Sequence, residues 1–362
     1  MSDRPHQFWI DVGGTFTDCL CLRPDGSLAR SKVLSSGVVK GAAAASCDRR
    51  TVIDPARAAD PPGFWVGYRC NLLDASGRQV DTATIERFDA GEGRLALDRE
   101  LAVVPVAGQP YELASGEDAP LMAIRRLLGL PLSAAIPPVV VRLGTTRGTN
   151  ALLTRGGAPT ALVTTRGFGD ILGIGYQNRP KLFERTIHKP EPLFQEVIDI
   201  GERVAADGRV LESPRPDEIR RLLAAAQQRG IQSLAICLLH GYAHPAHERL
   251  VETIARELGF QFTSTSHRVA PLIKIVSRGD TTVMDAYLNP VLQAYVARLQ
   301  RALGSGELRI MTSSGGLVAA EQFAGKDSVL SGPAGGVVGF SRVARSAGFA
   351  RAIGFDMGGT ST

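Results

Sequence analysis

The chain has 362 residues, of which 44% are hydrophobic and 21% charged, and its 41 Lys and Arg outnumber 36 Asp and Glu. This composition excludes a disordered or fibrous protein, and the length predicts two or three domains. The positive charge is dispersed along the chain, so we expect no nucleic-acid partner. No apolar run approaches the ~18 residues that a membrane span requires, so no membrane partner is expected either.

The cysteine content indicates a reducing environment. Five cysteines are an odd number, and none of them forms a C-x-x-C pair, which argues against a disulfide framework or a zinc ribbon. The first residues also lack the apolar stretch of a secretory signal. We therefore predict a cytoplasmic protein.

The N-terminal segment predicts an antiparallel meander whose first turn is rich in glycine. Short apolar strands are predicted at 8–12, 19–23 and 28–33. The glycine loop 13–18 joins the first two strands, and a Pro-Asp-Gly turn at 24–26 joins the second pair.

The next segment, 36–110, is punctuated by Pro and Gly and reads as a β-rich insertion with few candidate catalytic groups. Helical periodicity follows from Ser115, and Asp118 three residues later resembles a capping box. A strand at 139–143 then leads into a polar loop at 144–150.

The middle of the chain alternates between strands and helices, which favours α/β layers. The predicted strands are 160–165, 233–239, 260–264 and 308–312. The predicted helices are 216–229, 245–258 and 280–303, and a glycine follows each of the first two.

The last segment reads as a helix rich in small residues at 332–347, a strand at 352–355 and a second glycine loop from Asp356. Because this strand has no predicted neighbour, we expect an unpaired edge that is prone to aggregation.

The two glycine loops share the pattern D-x-G-G-T-x-T, once from Asp11 and once from Asp356. Adjacent glycines let backbone N–H groups approach phosphate oxygens, and a threonine hydroxyl adds a donor. An aspartate at a strand end is suited to hold hydrated Mg²⁺ beside a polyphosphate. The predicted phosphate ligands are Gly13, Gly14, Thr15, Thr17, Gly358, Gly359 and Thr360.

Two other nucleotide motifs fit poorly. A dinucleotide-binding G-x-G-x-x-G leads from a strand into a helix, whereas Gly13 and Gly14 lead from a strand into a strand. The P-loop pattern G-x-x-x-x-G-K-[ST] is absent from the sequence.

The paired loops resemble the nucleotide clamp of the actin, sugar-kinase and Hsp70 superfamily, which has a ribonuclease H-like fold. That resemblance implies an α/β protein in which the first loop belongs to domain I and the second begins domain II. A small-residue crossing helix precedes the second loop in the superfamily, and residues 331–339 resemble that helix.

Further motifs resemble the hydantoinase A/5-oxoprolinase family, in its ATP-dependent 5-oxoprolinase branch, over nearly the whole chain apart from 36–110. They occur in order at 144–153, 164–168, 173–180, 239–242, 276–282, 313–316, 326–327 and 330–336.

The resemblance implies ATP-driven hydrolysis of a cyclic amide, 5-oxo-L-proline to L-glutamate with ADP and phosphate. It implies ATP and Mg²⁺ as cofactors, with Asp11 and Asp356 as the catalytic pair that holds Mg²⁺ through water. It also implies a hydantoinase B-type module, fused or separate, to which much of the hydrolytic half is attributed. A homo-oligomer is expected.

The resemblance covers the front part of a longer enzyme, so we expect the chain alone to bind ATP poorly and to be inactive. The predicted division is 1–35 for the first meander, 36–110 for the insertion and 111–200 for the rest of the N-terminal domain. The predicted α/β region follows at 201–350, and the start of domain II at 351–362.

Several polar residues allow two interpretations. Arg278 is either a surface arginine beside an N-cap Asp280 or a group that recognises a substrate carboxylate, and Arg166 is a second substrate candidate. His240, His244 and His247 with Glu248 suggest a metal site, but a polar loop and a solvated helix start are favoured.

Two other functions remain open from the sequence. One is a small-molecule kinase of the same superfamily, which would yield a stable phosphoester rather than free phosphate. The other is an inactive fragment or interaction subunit that requires a B-type partner.

Overall fold

A computed structural model describes residues 4–177, 183–186 and 189–357. The chain divides into two compact units. The first comprises Met1–Thr146, Val296–Gln322 and Leu330–Thr362, and the second comprises Arg147–Tyr295 and Phe323–Val329.

The strands of the described residues are numbered in chain order. They are β1 (His6–Val12), β2 (Phe16–Leu22), β3 (Leu28–Leu34), β4 (Val38–Ala42), β5 (Thr51–Ile53), β6 (Arg69–Leu73), β7 (Gln79–Asp89), β8 (Arg94–Leu97), β9 (Pro110–Ala114), β10 (Val139–Thr145), β11 (Thr160–Thr165), β12 (Glu196–Ile200), β13 (Arg203–Val204), β14 (Val210–Glu212), β15 (Ser233–Cys237), β16 (Phe262–Thr265), β17 (Glu307–Met311) and β18 (Leu317–Ala319).

The α-helices are numbered in the same way. They are α1 (Ala119–Leu128), α2 (Arg147–Leu153), α3 (Ile171–Ile174), α4 (Pro216–Gln228), α5 (Ala246–Glu257), α6 (Ser266–Val269), α7 (Ile275–Leu303) and α8 (Ser331–Ser346). None of the described helices is both long and apolar enough to cross a bilayer.

The first unit contains a mixed six-stranded sheet in the order β18-β17-β10-β1-β2-β3. Strands β1, β2 and β3 pair antiparallel, which confirms the predicted meander, while β1 pairs with β10 and β10 with β17 in parallel. Side chains alternate along β1, so Phe8, Ile10 and Val12 are buried on one face and Asp11 lies on the other. Helix α1 packs against β1, β2 and β3.

The segment predicted to be β-rich forms a second sheet of the first unit. Its six strands follow the order β4-β9-β6-β7-β8-β5, and neighbouring strands pair antiparallel. Phe64, Trp65 and Tyr68 pack together in its core, and the Tyr111 hydroxyl donates to the Asp54 carboxylate at 2.6 Å. Burial of these aromatic rings gives the sheet an apolar core of its own.

The second unit contains a parallel sheet in the order β12-β11-β15-β16, as the strand–helix alternation predicts. Ile219 and Leu223 of α4 and Val251 and Ile254 of α5 pack on it. Every residue of β11 and β15 is buried, which is typical of parallel strands. The strand β12 lies on one side of β11, and the later strand β15 lies on the other. Loops at such a reversal of strand order often bind ligands.

Three predicted boundaries are wrong. Helix α1 begins at Ala119, and Ser115 makes a local turn in which its Oγ accepts from the Glu117 N–H, so no capping box forms. Helix α7 begins at Ile275, five residues before the predicted start. Residues 352–355 form no strand, because no described strand lies beside them to complete a ladder; the Ile353 side chain is 97% exposed.

Candidate functional site

The first glycine loop leaves β1 beside a carboxylate that lies close to two other elements. Asp11 is the penultimate residue of β1 and pairs with Gly144 of β10. A methyl group in place of the Gly144 hydrogen would lie 3.4 Å from Asp11 Oδ1, and one on Gly332 of α8 would lie 4.0 Å from it. Glycine at both positions therefore leaves room around the carboxylate.

The surroundings of Asp11 raise its pKa. Partial desolvation of the carboxyl is the largest cause, the negative charges of Asp18 and Asp356 add to it, and Lys32 opposes it. Asp356 is thus near enough to Asp11 to act on it electrostatically. The negative charges of Asp18 and Asp356 beside Asp11 favour the approach of a cation.

A charged row crosses the sheet at this level. Asp11 lies opposite Asp18 on β2, and Asp18 lies opposite Lys32 on β3. The Lys32 ammonium bonds both Asp18 oxygens, at 2.9 and 2.7 Å. Lys32 therefore forms an ion pair with Asp18, and Asp11 has no such ion pair among the described residues.

The loop that follows presents free backbone donors. The Gly13 N–H donates to the Phe16 carbonyl at 3.0 Å and closes the turn, so it is not available to a ligand. The Gly14 and Thr15 N–H groups have no acceptor among the described residues. The loop therefore offers two adjacent amides and the exposed Thr15 side chain as anion ligands.

Thr17 takes a different position from the rest of the loop. It is fully buried on the face of β2 that carries Cys19 and Cys21, and its Oγ1 lies 2.9 Å from Ser35 Oγ. Ser35 in turn donates to the Gly13 carbonyl at 2.8 Å. The hydroxyl of Thr17 thus lies behind the loop.

Helix α8 begins beside Asp11, and it contains residues 331–339, where the sequence predicts a helix rich in small residues. Ser331 is buried, and its Oγ donates to the Thr145 carbonyl at 2.9 Å, which ties the helix start to the end of β10. Thr146 donates from its N–H to the Val12 carbonyl at 3.0 Å. The 16-residue helix therefore points its partially positive end at the site, where an anion is stabilised.

Part of the predicted second loop lies outside the described residues. Asp356 is described and exposed, whereas Gly358, Gly359 and Thr360 lie beyond residue 357. The Asn-Arg-Pro part of the motif at 173–180 also lies outside the described ranges.

The two arginines predicted as substrate ligands lie in the second unit, and each donates to protein oxygens. The Nε of Arg278 is buried and has no hydrogen-bond partner among the described residues. Arg278 is inside α7 and fully buried; it donates to the carbonyls of Leu238, Leu239 and Leu272 at 2.6, 2.9 and 2.8 Å. The interpretation as a surface arginine beside an N-cap Asp280 is therefore wrong, because the helix starts earlier. Arg166 is half exposed and pairs with Glu218 at 2.6 Å.

We expect Arg278→Met to lower the free energy of unfolding by about 2–4 kcal/mol, because three carbonyls lose their donor and that of Leu238 is buried. The matched control is Arg166→Met, which breaks a surface ion pair worth about 0–1 kcal/mol. Urea unfolding followed by circular dichroism measures both. An Arg278→Met protein of unchanged stability and raised substrate KM would instead support the substrate role.

The histidines bind protein acceptors. His240 Nδ1 lies 2.7 Å from the Val204 carbonyl, His244 Nε2 lies 3.2 Å from the Ala206 carbonyl, and His247 Nδ1 lies 2.7 Å from Glu202. No group of three metal-ligating side chains occurs within the described part of the chain. The hydrogen bonds of His240 and His244 to backbone carbonyls agree with the predicted polar loop. The solvated helix start predicted at His247 is wrong, because His247 is buried against Glu202.

Glu248 is a residue whose role the sequence analysis missed. It was assigned to a solvated helix start, yet it is fully buried and accepts from Leu238 N–H, Ser266 Oγ and both the N–H and Nδ1 of His267. The signal was helical spacing, since Glu248 lies three and seven residues before the buried Val251 and Ala255.

Comparison with protein families gives two matches in chain order. The model described as the hydantoinase/oxoprolinase N-terminal region matches residues 7–58 and 98–259. The model described as hydantoinase/oxoprolinase matches residues 278–362. Residues 59–97, between the two parts of the first match, contain β6, β7 and β8 of the second sheet, and residues 260–277 lie between the two matches.

Among curated proteins, the 5-oxoprolinase of Saccharomyces cerevisiae is 38% identical over 312 residues, which is 75% of this chain and 24% of the yeast protein. The 5-oxoprolinase 1 of Arabidopsis thaliana is 39% identical over 279 residues, which is 68% of this chain and 22% of the plant protein. The chain thus spans about a quarter of the length of these relatives.

Among solved structures, the ATP-dependent caprolactamase from Pseudomonas jessenii superimposes with a TM-score of 0.64 at 22% identity. The match covers 98% of this chain and 42% of the caprolactamase chain, and at this identity it supports a shared fold alone. The family matches extend over both units and include Asp11, Gly13–Thr15 and Asp356. The chain therefore belongs to the hydantoinase/oxoprolinase family.

Proposed function

We propose that the first unit is a nucleotide-binding domain of the actin, sugar-kinase and Hsp70 type. Its strands β3-β2-β1-β10-β17 follow the order 3-2-1-4-5, with only the second antiparallel to its neighbours. The glycine loop at the first hairpin and the helix α8 beside it support this assignment. In this proposal, residues from 351 onward begin the second domain.

The residues of the first loop fit Mg·ATP. The free N–H groups of Gly14 and Thr15 and the start of α8 suit phosphate oxygens. The carboxylate of Asp11, which partial desolvation and the charges of Asp18 and Asp356 destabilise, suits a hydrated Mg²⁺. Gly358, Gly359 and Thr360 would complete the phosphate ligands from the second loop.

We propose that the protein takes part in ATP-dependent hydrolysis of a cyclic amide of the 5-oxo-L-proline class, as the N-terminal part of a larger enzyme. The observation that carries the proposal is the 38–39% identity to 5-oxoprolinases from yeast and plant over a stretch that contains the Asp11 loop. An amide carbonyl is a poor electrophile, and transfer of the γ-phosphoryl group of ATP to its oxygen would make the carbon open to attack by water.

In this reaction the chain binds and orients the nucleotide. The Gly14 and Thr15 amides would hold phosphate oxygens where negative charge develops, and they need no reorganisation because the turn is already closed through Gly13 and Phe16. Asp11 would fix the cation through water on one side, with Asp356 on the other. The chain's role is therefore phosphate positioning in a site shaped by Gly144 and Gly332.

Completion of the reaction requires further parts. We propose a hydantoinase B-type module, fused or separate, for the hydrolytic half, and a homo-oligomeric assembly in the cytoplasm. The five-part division of the chain, with an insertion at 36–110, is likewise proposed.

The test is turnover by the complete protein with its partner module. Incubation with 5-oxo-L-proline, ATP and Mg²⁺ is expected to release glutamate and free phosphate in equal amounts, and omission of the lactam is expected to abolish most ATP hydrolysis. A stable phosphoester among the products would indicate a kinase and contradict the proposal.

A further inference from the structure

We propose that Ser35 is a positioning residue that directs the amides of the glycine loop toward the phosphates. This inference rests on the proposed function, because it assigns a role within the same nucleotide site. Ser35 follows the last residue of β3, 22 positions from Gly13, and neither loop motif includes it.

The first step is the direction of the hydrogen bonds behind the loop. Ser35 Oγ donates its single proton to the Gly13 carbonyl at 2.8 Å. The Thr17 hydroxyl, 2.9 Å from Ser35 Oγ, must then be the donor in that pair. The two hydroxyls form a relay from Thr17 through Ser35 to Gly13.

The second step is the geometry of the peptide. The described chain contains no cis peptide bond, and in a planar trans peptide the C=O and the following N–H point in opposite directions. Because Ser35 holds the Gly13 carbonyl on the inner side, the Gly14 N–H points away from Ser35, out of the loop. The unpartnered Gly14 N–H is the expected result.

A second contact from the same residue stabilises the rest of the loop. The Ser35 N–H donates to the Thr15 carbonyl at 2.9 Å. Ser35 therefore holds the Gly13–Gly14 and Thr15–Phe16 peptides, and the two flank the Gly14–Thr15 peptide that carries the Thr15 N–H. The loop is thus fixed on both sides of that peptide before a ligand arrives. Preorganised donors lose little conformational entropy on binding.

The relay also explains the position of Thr17. Its hydroxyl is fully buried and would lack a partner without Ser35, at a cost typical of an unsatisfied buried polar group. Thr17 thus acts on the phosphates through Ser35 and the Gly13 carbonyl, whereas Thr15 is free to contact them.

The experiment measures binding of Mg²⁺ with the non-hydrolysable analogue AMP-PNP to the complete protein by calorimetry, alongside turnover. Ser35→Ala is expected to weaken AMP-PNP binding about tenfold and to raise KM for ATP by a similar factor. KM for the lactam is expected to stay unchanged, a split that general destabilisation would not produce. Ser35→Thr keeps the hydroxyl and is expected to restore binding.

Ser36→Ala is the matched control, because Ser36 is adjacent and exposed and its hydroxyl has no partner among the described residues. If Ser35→Ala does not fold, Thr17→Val replaces it in the experiment and is expected to weaken AMP-PNP binding about threefold. Normal AMP-PNP binding in folded Ser35→Ala, with a loss in Asp11→Asn, would overturn this inference alone. Absence of nucleotide binding by the unmutated protein would overturn the proposed function instead.

Discussion

Asp11→Asn is expected to lower lactam-dependent ATP hydrolysis about a thousandfold in the complete protein. The substitution keeps the size of the side chain and removes the negative charge that faces a hydrated Mg²⁺. The measurement is steady-state release of phosphate at saturating ATP and Mg²⁺. Asp25→Asn is the control, since Asp25 lies in the turn between β2 and β3 and bonds only Ser27 among the described residues.

The same substitution is expected to stabilise the nucleotide-free protein slightly. The pKa of Asp11 is raised, so between its ordinary value and the raised one the folded chain holds more protons than the unfolded chain. The free energy of unfolding therefore decreases as the pH rises through this window. An asparagine side chain has no charge at any pH, so the Asp11→Asn variant does not show this decrease. Thermal unfolding at pH 7 measures it.

Opposite changes in activity and stability distinguish a functional charge from a structural one. An Asp11→Asn protein that retains at least half of the ATP turnover would contradict the role of Asp11.

The raised pKa of Asp11 also predicts how Mg·ATP affinity depends on pH. Because protonation of Asp11 competes with the cation, the affinity is expected to start falling at a higher pH than it would with a carboxylate of ordinary pKa.

Glu248→Ala is expected to lower the free energy of unfolding by about 3–5 kcal/mol. The side chain is fully buried and accepts four hydrogen bonds that join the end of β15 to α6. Alanine would leave the Leu238 and His267 N–H groups without acceptors. Urea unfolding of the chain gives the difference directly.

Glu257→Ala on the same helix is the matched control, because Glu257 is half exposed and its ion pair with Arg220 is worth about 0–1 kcal/mol. Gly241 supplies a second check, since a methyl group there would lie 2.3 Å from Glu248 Oε1. Gly241→Ala is expected to destabilise the unmutated chain more than the Glu248→Ala variant. Equal effects in both backgrounds would place Glu248 away from this loop.

Much of the fold follows from local patterns in the sequence. The turn at 24–26 and the alternation of Phe8, Ile10 and Val12 predict the meander, and the glycines that follow α4 and α5 mark the helix ends in the second unit. Such signals depend on neighbours in the sequence, so they are visible without coordinates.

Features that depend on distant residues are missed. Arg278 appears as a surface residue because the sequence pattern places the helix start at Asp280, whereas α7 begins at Ile275. Two of its three acceptors lie about 40 positions away on the loop after β15. Ser35 and Gly13 are brought together by the pairing of β2 with β3, which a single motif does not show. The predicted strand at 352–355 failed for a related reason, since a strand requires a partner.

The most direct test of the account is a crystal structure of the complete protein with Mg²⁺ and AMP-PNP. The account predicts phosphate oxygens at ~2.9 Å from the Gly14 and Thr15 N–H nitrogens, and Asp11 bonded to water on the cation. The second loop is predicted to approach the same triphosphate from the side of Asp356. A nucleotide bound elsewhere, with Asp11 and Asp356 both remote from its phosphates, would contradict the account.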